Sequence, residues 1–171
     1  MTSLADRAAI DAVLAERARR LARRPAVVSA VPMAQLLAFA VGNERYAIDV
    51  TYVYRLERCA RITPLPGTAR QFAGIVNLHG QLVPLVDLGV LLGTPPSADH
   101  SFAIILGGAR AEIGIVAQAL IDMREIPLDT LAASTPAPRP IVRHITPDGI
   151  AVIDGAALIA DPRLTHEENV R

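Results

Sequence analysis

The side chains that most often carry chemistry are few in this sequence and stand far apart. It has four histidines and one cysteine, and their spacing matches no metal-binding pattern. These residues are His79, His100, His144, His166 and Cys59. The sequence also contains no phosphate-binding glycine loop, nucleophile elbow or zinc-binding HExxH motif. We therefore predict that the protein is not an enzyme and has no catalytic residue, metal site or cofactor.

Two further groups of reactive side chains have simple interpretations. Four aspartates fall at the ends of predicted strands, where an acid usually caps a helix or forms a turn. They are Asp49, Asp87, Asp122 and Asp154. Arg58 and Arg61 lie near Cys59, and neighbouring cations lower the pKa of a thiol. No other residue of a nucleophilic or redox motif accompanies Cys59, so we interpret it as a bystander.

Charge and composition argue against several classes of partner. The 171 residues include 17 basic and 17 acidic side chains, so no global field attracts nucleic acid or anionic lipid. Aromatic residues make up 4% and tryptophan is absent, which leaves few rings on which bases stack. A single cysteine cannot form an internal disulfide, and we expect a protein of the reducing cytoplasm.

The stretch at 25–43 has no charged residue, as is typical of a membrane anchor. A spanning helix needs about 20 predominantly apolar residues, whereas this stretch contains Pro32 together with polar Ser29 and Gln35. Its last third also runs into a hairpin pattern. We predict no membrane insertion.

The other elements are organised around the stretch 74–93. Two runs rich in Val, Ile and Leu flank a His-Gly-Gln sequence at 79–81. This pattern predicts two strands joined by a tight turn in which Gly80 takes a positive φ. Because both runs are almost wholly apolar, we expect both faces of this hairpin to be buried at the centre of a domain.

We expect three segments along the chain: an N-terminal helix with its linker at 1–33, a β domain at 34–165 and a tail at 166–171. Residues 6–24 have apolar side chains at helical spacing and arginines crowded in their second half. Such a basic amphipathic helix either docks on an acidic partner or membrane surface, or is a solvated helix whose alanine-rich stripe rests on the domain.

The remaining β domain is predicted to contain three more hairpins. They comprise 35–41 with 46–50, 102–106 with 111–117 and continued by 121–126, and 141–145 with 150–153. A faint internal repeat aligns 41–50 with 106–115 and places an aspartate after two of the hairpins. Many short strands with turn signals are typical of small barrels. The predicted fold is therefore all-β, with two barrel-like lobes that share an apolar core.

Three segments have a distinctive order of residues, namely FAVGNERYAIDV at 39–50, ITPLP at 62–66 and GIVNLHGQLVPLVDL at 74–88. They resemble the CheW-like coupling proteins of bacterial chemosensory arrays. Looser similarity at 102–115 and 152–158 extends the resemblance from about residue 35 to residue 164. The order of Gly, Asn-Leu, Gly, Val-Pro and Val-Asp-Leu in the third segment is its most specific part.

The resemblance implies a non-catalytic adaptor with two SH3-like β-barrel lobes around a joint hydrophobic core. Members of this family bridge the cytoplasmic tip of a methyl-accepting chemoreceptor and the regulatory domain of a CheA-type histidine kinase. Other CheW-like domains are further candidate partners. Binding through apolar grooves and exposed strand edges would bury surface and pair free backbone groups. The alternative is a CheW-like module with changed partners outside flagellar chemotaxis.

Three positions depart from the family pattern. The glutamate that usually follows Val53 by two residues is Arg55, and the usual arginine of the central turn is His79. Both positions belong to surfaces associated with receptor and kinase coupling. Arg55 and His79 cannot form the ion pair of an acid and an arginine, and protonation of His79 would add repulsion. Gln118 replaces the aspartate common after the second hairpin.

The predicted partner-binding surface combines residues from the two most similar regions. It comprises Ile48, Val50, Val53, Arg55, Leu56, Gly74, Asn77, Leu78, His79 and Gly80. His79, at the tip of the most apolar hairpin, is either a contact point for a partner or a turn residue with no further role. Its position in the sequence leaves both interpretations open.

Overall fold

Residues 31–58, 62–132, 135–136 and 139–164 are described by the computed structural model, and β-strands dominate them. The strands are β1 (Met33–Val41), β2 (Glu44–Asp49), β3 (Val53–Arg58), β4 (Phe72–Leu78), β5 (Gln81–Val86), β6 (Phe102–Gly107), β7 (Ala111–Ala117), β8 (Ala119–Pro127), β9 (Thr135–Pro136), β10 (Val142–Ile145) and β11 (Ala151–Ile153). The helices are a 3-10 helix (Val50–Tyr52), α1 (Leu88–Leu91), α2 (Leu128–Ala132) and α3 (Gly155–Ile159). The helix predicted at 6–24, Cys59 and the tail at 166–171 lie outside the described residues.

The described strands form two sheets, which confirms the prediction of a mainly β fold. Sheet A has six strands in the order β8-β1-β2-β11-β10-β9, and sheet B has five in the order β3-β6-β7-β5-β4. The chain begins sheet A with β1 and β2, crosses to sheet B for β3 to β7, and returns to sheet A at β8. The strands that follow the two crossings, β3 and β8, each form the edge of a sheet.

The two sheets repeat one arrangement, as the internal repeat predicts. In sheet A, β11 pairs in parallel with β2 of the β1–β2 hairpin and is followed by α3. In sheet B, β5 pairs in parallel with β7 of the β6–β7 hairpin and is followed by α1. Val86 pairs with Ile115 in sheet B as Ile153 pairs with Ile48 in sheet A. Ile48 therefore corresponds to Ile115, two positions beyond the Ile113 that the predicted repeat aligned with it. A shift of two residues keeps every side chain on the same face, so the apolar pattern does not distinguish the two registers.

Both faces of the β1–β2 and β6–β7 hairpins contain buried side chains. One face of each sheet contributes to a shared core, which includes Leu37, Phe39 and Ile48 of sheet A and Ile104, Leu106 and Ile115 of sheet B. Separate clusters contain the side chains that alternate with these, including Leu36, Ala38 and Val152 in sheet A and Val83, Leu85 and Ile105 in sheet B. Burial on both faces explains why these strands are continuous apolar runs rather than alternating ones.

Three of the aspartates that end strands cap helices, as predicted, and the first is Asp49, which accepts a hydrogen bond from the Thr51 N–H of the 3-10 helix at 2.8 Å. One carboxylate oxygen of Asp87 accepts a hydrogen bond from the Val90 N–H at 3.2 Å, in the first turn of α1. Its other oxygen accepts from the Ser97 N–H at 2.9 Å, so Asp87 also holds the loop that follows the helix. In the same way Asp154 accepts from the Ala157 N–H of α3 at 3.0 Å.

Two expectations about strand placement are wrong. The hairpin of β4 and β5 is not central with both faces covered, because β4 is the edge of sheet B and Leu82 has 62% of its surface exposed. The segment 121–126 does not extend the β6–β7 hairpin, since as part of β8 it pairs with β1 of the other sheet. At the crossing the Gln118 N–H donates to the Ala40 carbonyl at 2.9 Å. The apolar pattern indicates which side chains are covered but not which strand lies alongside.

Candidate partner-contact surface

The turn between β4 and β5 presents His79 to solvent. His79 and Gly80 both have positive φ values, 51° and 93°, as a two-residue hairpin turn that matches the twist of its strands requires. The Oδ1 atom of Asn77 accepts a hydrogen bond from the Gly80 N–H at 2.7 Å. The Asn-Leu-His-Gly sequence therefore builds a turn that leaves the His79 side chain exposed.

Strand β3 brings Arg55 beside this turn. The Nη1 atom of Arg55 lies 3.3 Å from Nε2 of His79, which makes a hydrogen bond when that ring nitrogen carries no proton. Arg55 also forms an ion pair with Glu57, two residues further along β3. Because β3 and β4 are opposite edges of sheet B, the contact of Arg55 with His79 shows that the sheet curves until its edges approach.

A shallow groove of about 340 Å³ lies between β3 and β4; we call it the β3–β4 groove. It is lined by Arg55, Glu57, Arg58, Val76, Asn77, Leu78 and His79. Cationic, anionic and amide groups lie there beside aliphatic side chains. Such a combination suits a protein partner, since protein interfaces join an apolar centre to a polar rim.

The structure brings four of the ten predicted contact residues together in this groove: Arg55, Asn77, Leu78 and His79. Leu56 is exposed on β3 next to Arg55, with 43% of its surface accessible. Gly80 completes the turn. Of these six residues, Leu78 is partly buried and the other five are exposed.

The other four predicted residues are buried or partly buried. Ile48 is fully buried in the shared core. Val50 and Val53, partly buried, pack against the same core. Gly74 is also buried, so neither its backbone nor the Ile48 side chain is open to solvent.

Gly74 is required for a close approach of two segments. A Cβ atom at this position would come within 2.4 Å of the Thr63 carbonyl oxygen and 2.6 Å of the Ile62 side chain. Thr63 and Ile75 exchange two backbone hydrogen bonds, of 3.0 and 2.9 Å. The Gly of the third similar segment therefore lets the ITPLP segment lie against β4.

Sequence reasoning missed three residues of the groove, namely Glu57, Arg58 and Val76. Glu57 follows Arg55 by two positions, so the period of a β-strand was the signal that placed both on one face. The guanidinium carbon of Arg58 lies 5.7 Å from the centroid of the Phe102 ring, a cation–π distance. That contact stabilises the end of β3 against β6.

Neither a metal-binding cluster nor a membrane-spanning helix occurs among the described residues. No group of three or more His, Cys, Asp or Glu side chains in 31–58, 62–132 and 139–164 is placed to hold a metal ion. No helix in these ranges is long and apolar enough to cross a membrane.

Residues 35–163 match the family model described as a CheW-like domain. The chain is 27% identical over 106 residues to Chemotaxis protein CheW of Klebsiella aerogenes, covering 61% of this chain and 62% of that protein. It is 32% identical over 82 residues to Chemotaxis protein CheW of Bacillus subtilis, covering 47% and 53%. Protein PilI of Pseudomonas aeruginosa is 27% identical over 124 residues, covering 71% and 70%. The chain thus spans less than two thirds of the first two relatives.

A solved structure has a similar fold. The crystal structure of scaffolding protein TtCheW from Thermoanaerobacter tengcongensis superposes with a TM-score of 0.62 at 24% identity, covering 72% of this chain and 90% of that one. The family match runs from β1 to beyond α3, and it includes the three segments on which the resemblance was based. This chain therefore belongs to the CheW-like domain family.

Proposed function

We propose that this protein is a non-catalytic adaptor that couples a methyl-accepting chemoreceptor to a CheA-type histidine kinase in a bacterial chemosensory pathway. The observation that carries the proposal is the family match across both sheets, at residues 35–163. Two relatives named Chemotaxis protein CheW support it. Its partners are then the receptor's cytoplasmic tip and the kinase's regulatory domain, and its location is the cytoplasm.

We infer that sheets A and B are the two SH3-like barrel lobes of such an adaptor. Each sheet has its own apolar cluster in addition to the shared core. In each sheet an arginine of an edge strand, β3 or β8, contacts a hairpin turn near the opposite edge of the same sheet. Arg55 meets His79 in sheet B, and Arg124 Nη1 lies 2.5 Å from Asp148 Oδ2 in sheet A. Both contacts support sheets that close towards barrels.

The β3–β4 groove is the surface that we assign to partner binding. Association there would cover Val76 and Leu78 and remove their remaining apolar surface from water. It would also satisfy the exposed hydrogen-bonding groups of Arg55 and Asn77. Charged residues at the rim contribute mainly to the rate and specificity of association, whereas the apolar side chains contribute most of the affinity.

Co-sedimentation tests the proposal. Purified protein is mixed with receptor-containing membranes and the kinase regulatory domain from the same genome, and binding of Leu78→Ala is compared with that of Leu82→Ala. We expect Leu78→Ala to weaken the complex because Leu78 lines the groove, whereas Leu82, which is 62% exposed but does not line it, tolerates the change. Absence of a complex with folded wild-type protein at about 50 µM, far above useful affinities, would reject the coupling function.

A specific observation favours a second candidate, a CheW-like module with exchanged partners. Where the family pattern has an acid and an arginine, this chain has Arg55 and His79, and the two side chains are in contact. Neither group carries a negative charge, so a partner that binds the usual acid meets a positive or neutral side chain here. Restoring the usual charges with Arg55→Glu and His79→Arg tests this candidate: it predicts that chemosensory partners bind the double variant and not the wild type.

A further inference from the structure

The free edge of sheet A is β8. On one side β8 pairs with β1, and no other described strand pairs with it. Unpaired N–H and C=O groups of an edge strand are able to pair with another chain. Two large apolar side chains of β8, Ile121 and Met123, expose 42% and 66% of their surface. Free backbone groups and exposed apolar side chains therefore occur on the same strand.

The corresponding edge in sheet B is β3, and it differs from β8 in two ways. Leu56 of β3 lies opposite Ile104, as Met123 of β8 lies opposite Leu37. Leu56 is 43% exposed against 66% for Met123, and β3 has six residues against nine in β8. The longer free edge, which also has the more exposed apolar side chain, is that of β8.

The charges of β8 are self-complementary. Asp122 and Arg124 stand on either side of Met123 and form an ion pair of 2.9 Å with each other. If two copies of β8 lie antiparallel with Met123 opposite Met123, Asp122 of each copy lies opposite Arg124 of the other. This register therefore places Met123 opposite Met123 and each Asp122 opposite an Arg124 of the other copy.

Two features of β8 bear on whether its edge is regular enough to pair. A bulge interrupts the pairing of β8 with β1 between Ala38 and Phe39, but the register is continuous from Met33 opposite Pro127 to Ala38 opposite Asp122. Arg124 is also held by Asp148, at 2.5 Å, so its guanidinium is already ordered. The regular stretch at 122–127 thus includes the three residues, 122 to 124, that carry the proposed pairing.

We propose that two copies of this chain associate through β8, in an antiparallel, two-fold symmetric pairing centred on Met123. An isologous contact of this kind is the commonest way in which identical chains associate. Because the contact uses sheet A alone, the β3–β4 groove of each copy stays open. The pair would present two such grooves, and a clustered partner binds two linked sites more tightly than one. The association itself does not depend on the proposed function.

Sedimentation velocity of the full chain, from about 5 to about 500 µM, tests the proposal. A small interface of one paired strand is expected to give a weak, concentration-dependent dimer. Met123→Lys places two ammonium groups face to face on the symmetry axis, and we expect it to raise the dissociation constant at least about tenfold. Leu82→Lys is the matched control, since Leu82 has a similar exposed fraction, 62%, on β5, and it should dimerise like the wild type.

Charge exchange tests the register. Asp122→Arg and Arg124→Asp each place like charges opposite one another across the axis, so each variant alone is expected to be monomeric. When the two variants are mixed, residues 122 and 124 carry two positive charges in one copy and two negative charges in the other, and a heterodimer is expected. Circular dichroism melts confirm that both variants are folded before mixing.

Three outcomes would overturn the proposal. A wild-type chain that stays monomeric at about 500 µM, well above the dissociation constants of specific complexes, has no such contact. A dimer that Leu56→Lys abolishes and Met123→Lys does not would be formed by β3 instead. A dimer that survives Met123→Lys, with no heterodimer from the mixed variants, would be formed by a surface other than β8.

Discussion

The Nη1 atom of Arg55 lies 3.3 Å from the Nε2 atom of His79, although the two residues are 24 positions apart. The resemblance to the CheW-like family predicts that these are two positions at which the chain departs from the usual pattern. Their contact places both side chains in a single local interaction. The hydrogen bond requires an unprotonated Nε2, because arginine has only donors.

The first prediction concerns the imidazole of His79. Its removal should weaken partner binding at the β3–β4 groove by about threefold to tenfold, the loss of one exposed polar contact. His79 has a φ of 51°, a conformation that asparagine tolerates and that strains most other residues. His79→Asn is therefore the clean variant, and isothermal titration against the kinase regulatory domain measures its effect.

His79→Ala provides the comparison for that experiment. Alanine in the left-handed region costs about 1 kcal/mol, which lowers the melting temperature by roughly 2–4 °C in a chain of this size. If His79→Asn also lowers the melting temperature by many degrees, the role of His79 is structural. Unchanged binding by a folded His79→Asn would exclude a contact role.

The second prediction compares neighbouring residues of β5. Val83 is 1% exposed in the separate cluster of sheet B, whereas Leu82 is 62% exposed. Val83→Asp buries a carboxylate without a partner, and we expect it to destabilise the fold by more than about 4 kcal/mol, or to prevent folding. Leu82→Asp should change stability by less than about 0.5 kcal/mol. Urea unfolding followed by circular dichroism distinguishes the two, and equal losses would contradict the strand's orientation.

The third prediction concerns acid unfolding. Hydrogen bonds from the Arg163 side chain, the shortest of 2.6 Å, hold the pKa of the buried Asp161 carboxyl below its usual range, against the opposing effect of burial. A lowered folded-state pKa stabilises the fold above the unfolded value of about 3.9, and this stability is lost as pH falls through the folded-state pKa.

Asp161→Asn tests that dependence. At pH 7 the variant should lose about 1–3 kcal/mol, the usual cost of removing a charged hydrogen-bond partner. The difference from wild type should shrink below about pH 4, where wild-type Asp161 also becomes protonated. Melting temperatures between pH 7 and pH 2.5 provide the measurement. The exposed Asp129 serves as a control through Asp129→Asn, and a difference for Asp161→Asn that is constant with pH would be inconsistent with the prediction.

The fourth prediction concerns alkaline unfolding. Burial of Tyr46, reinforced by the charge of Glu44 and opposed by Arg139, raises the pKa of its phenol. A raised folded-state pKa contributes stability below the unfolded value of about 10, and this contribution is lost as pH rises through the folded-state pKa. Tyr46→Phe should therefore melt with a weaker pH dependence than wild type above about pH 10. Tyr54→Phe, at a residue that is 48% exposed, is the control and should follow the wild type.

Much of the local structure was predictable from the sequence because it depends on neighbouring residues. The turn at His79 and Gly80, the caps formed by Asp87 and Asp154, and the hairpins all follow from short-range patterns. Burial of Val83 followed from the apolar run around it. The order of apolar residues and turn residues also carried the resemblance to the CheW-like family.

The contacts between distant segments were decided only in the tertiary structure. A period of two assigns each side chain to a face, but it does not say which strand lies alongside or in which of two registers differing by two residues. For that reason the sequence pattern did not predict that β8 crosses to sheet A, that Ile48 corresponds to Ile115, or that Ile48 is buried rather than exposed. The contact of Arg55 with His79 was not predictable either, because it depends on the curvature that brings the two edges of sheet B together.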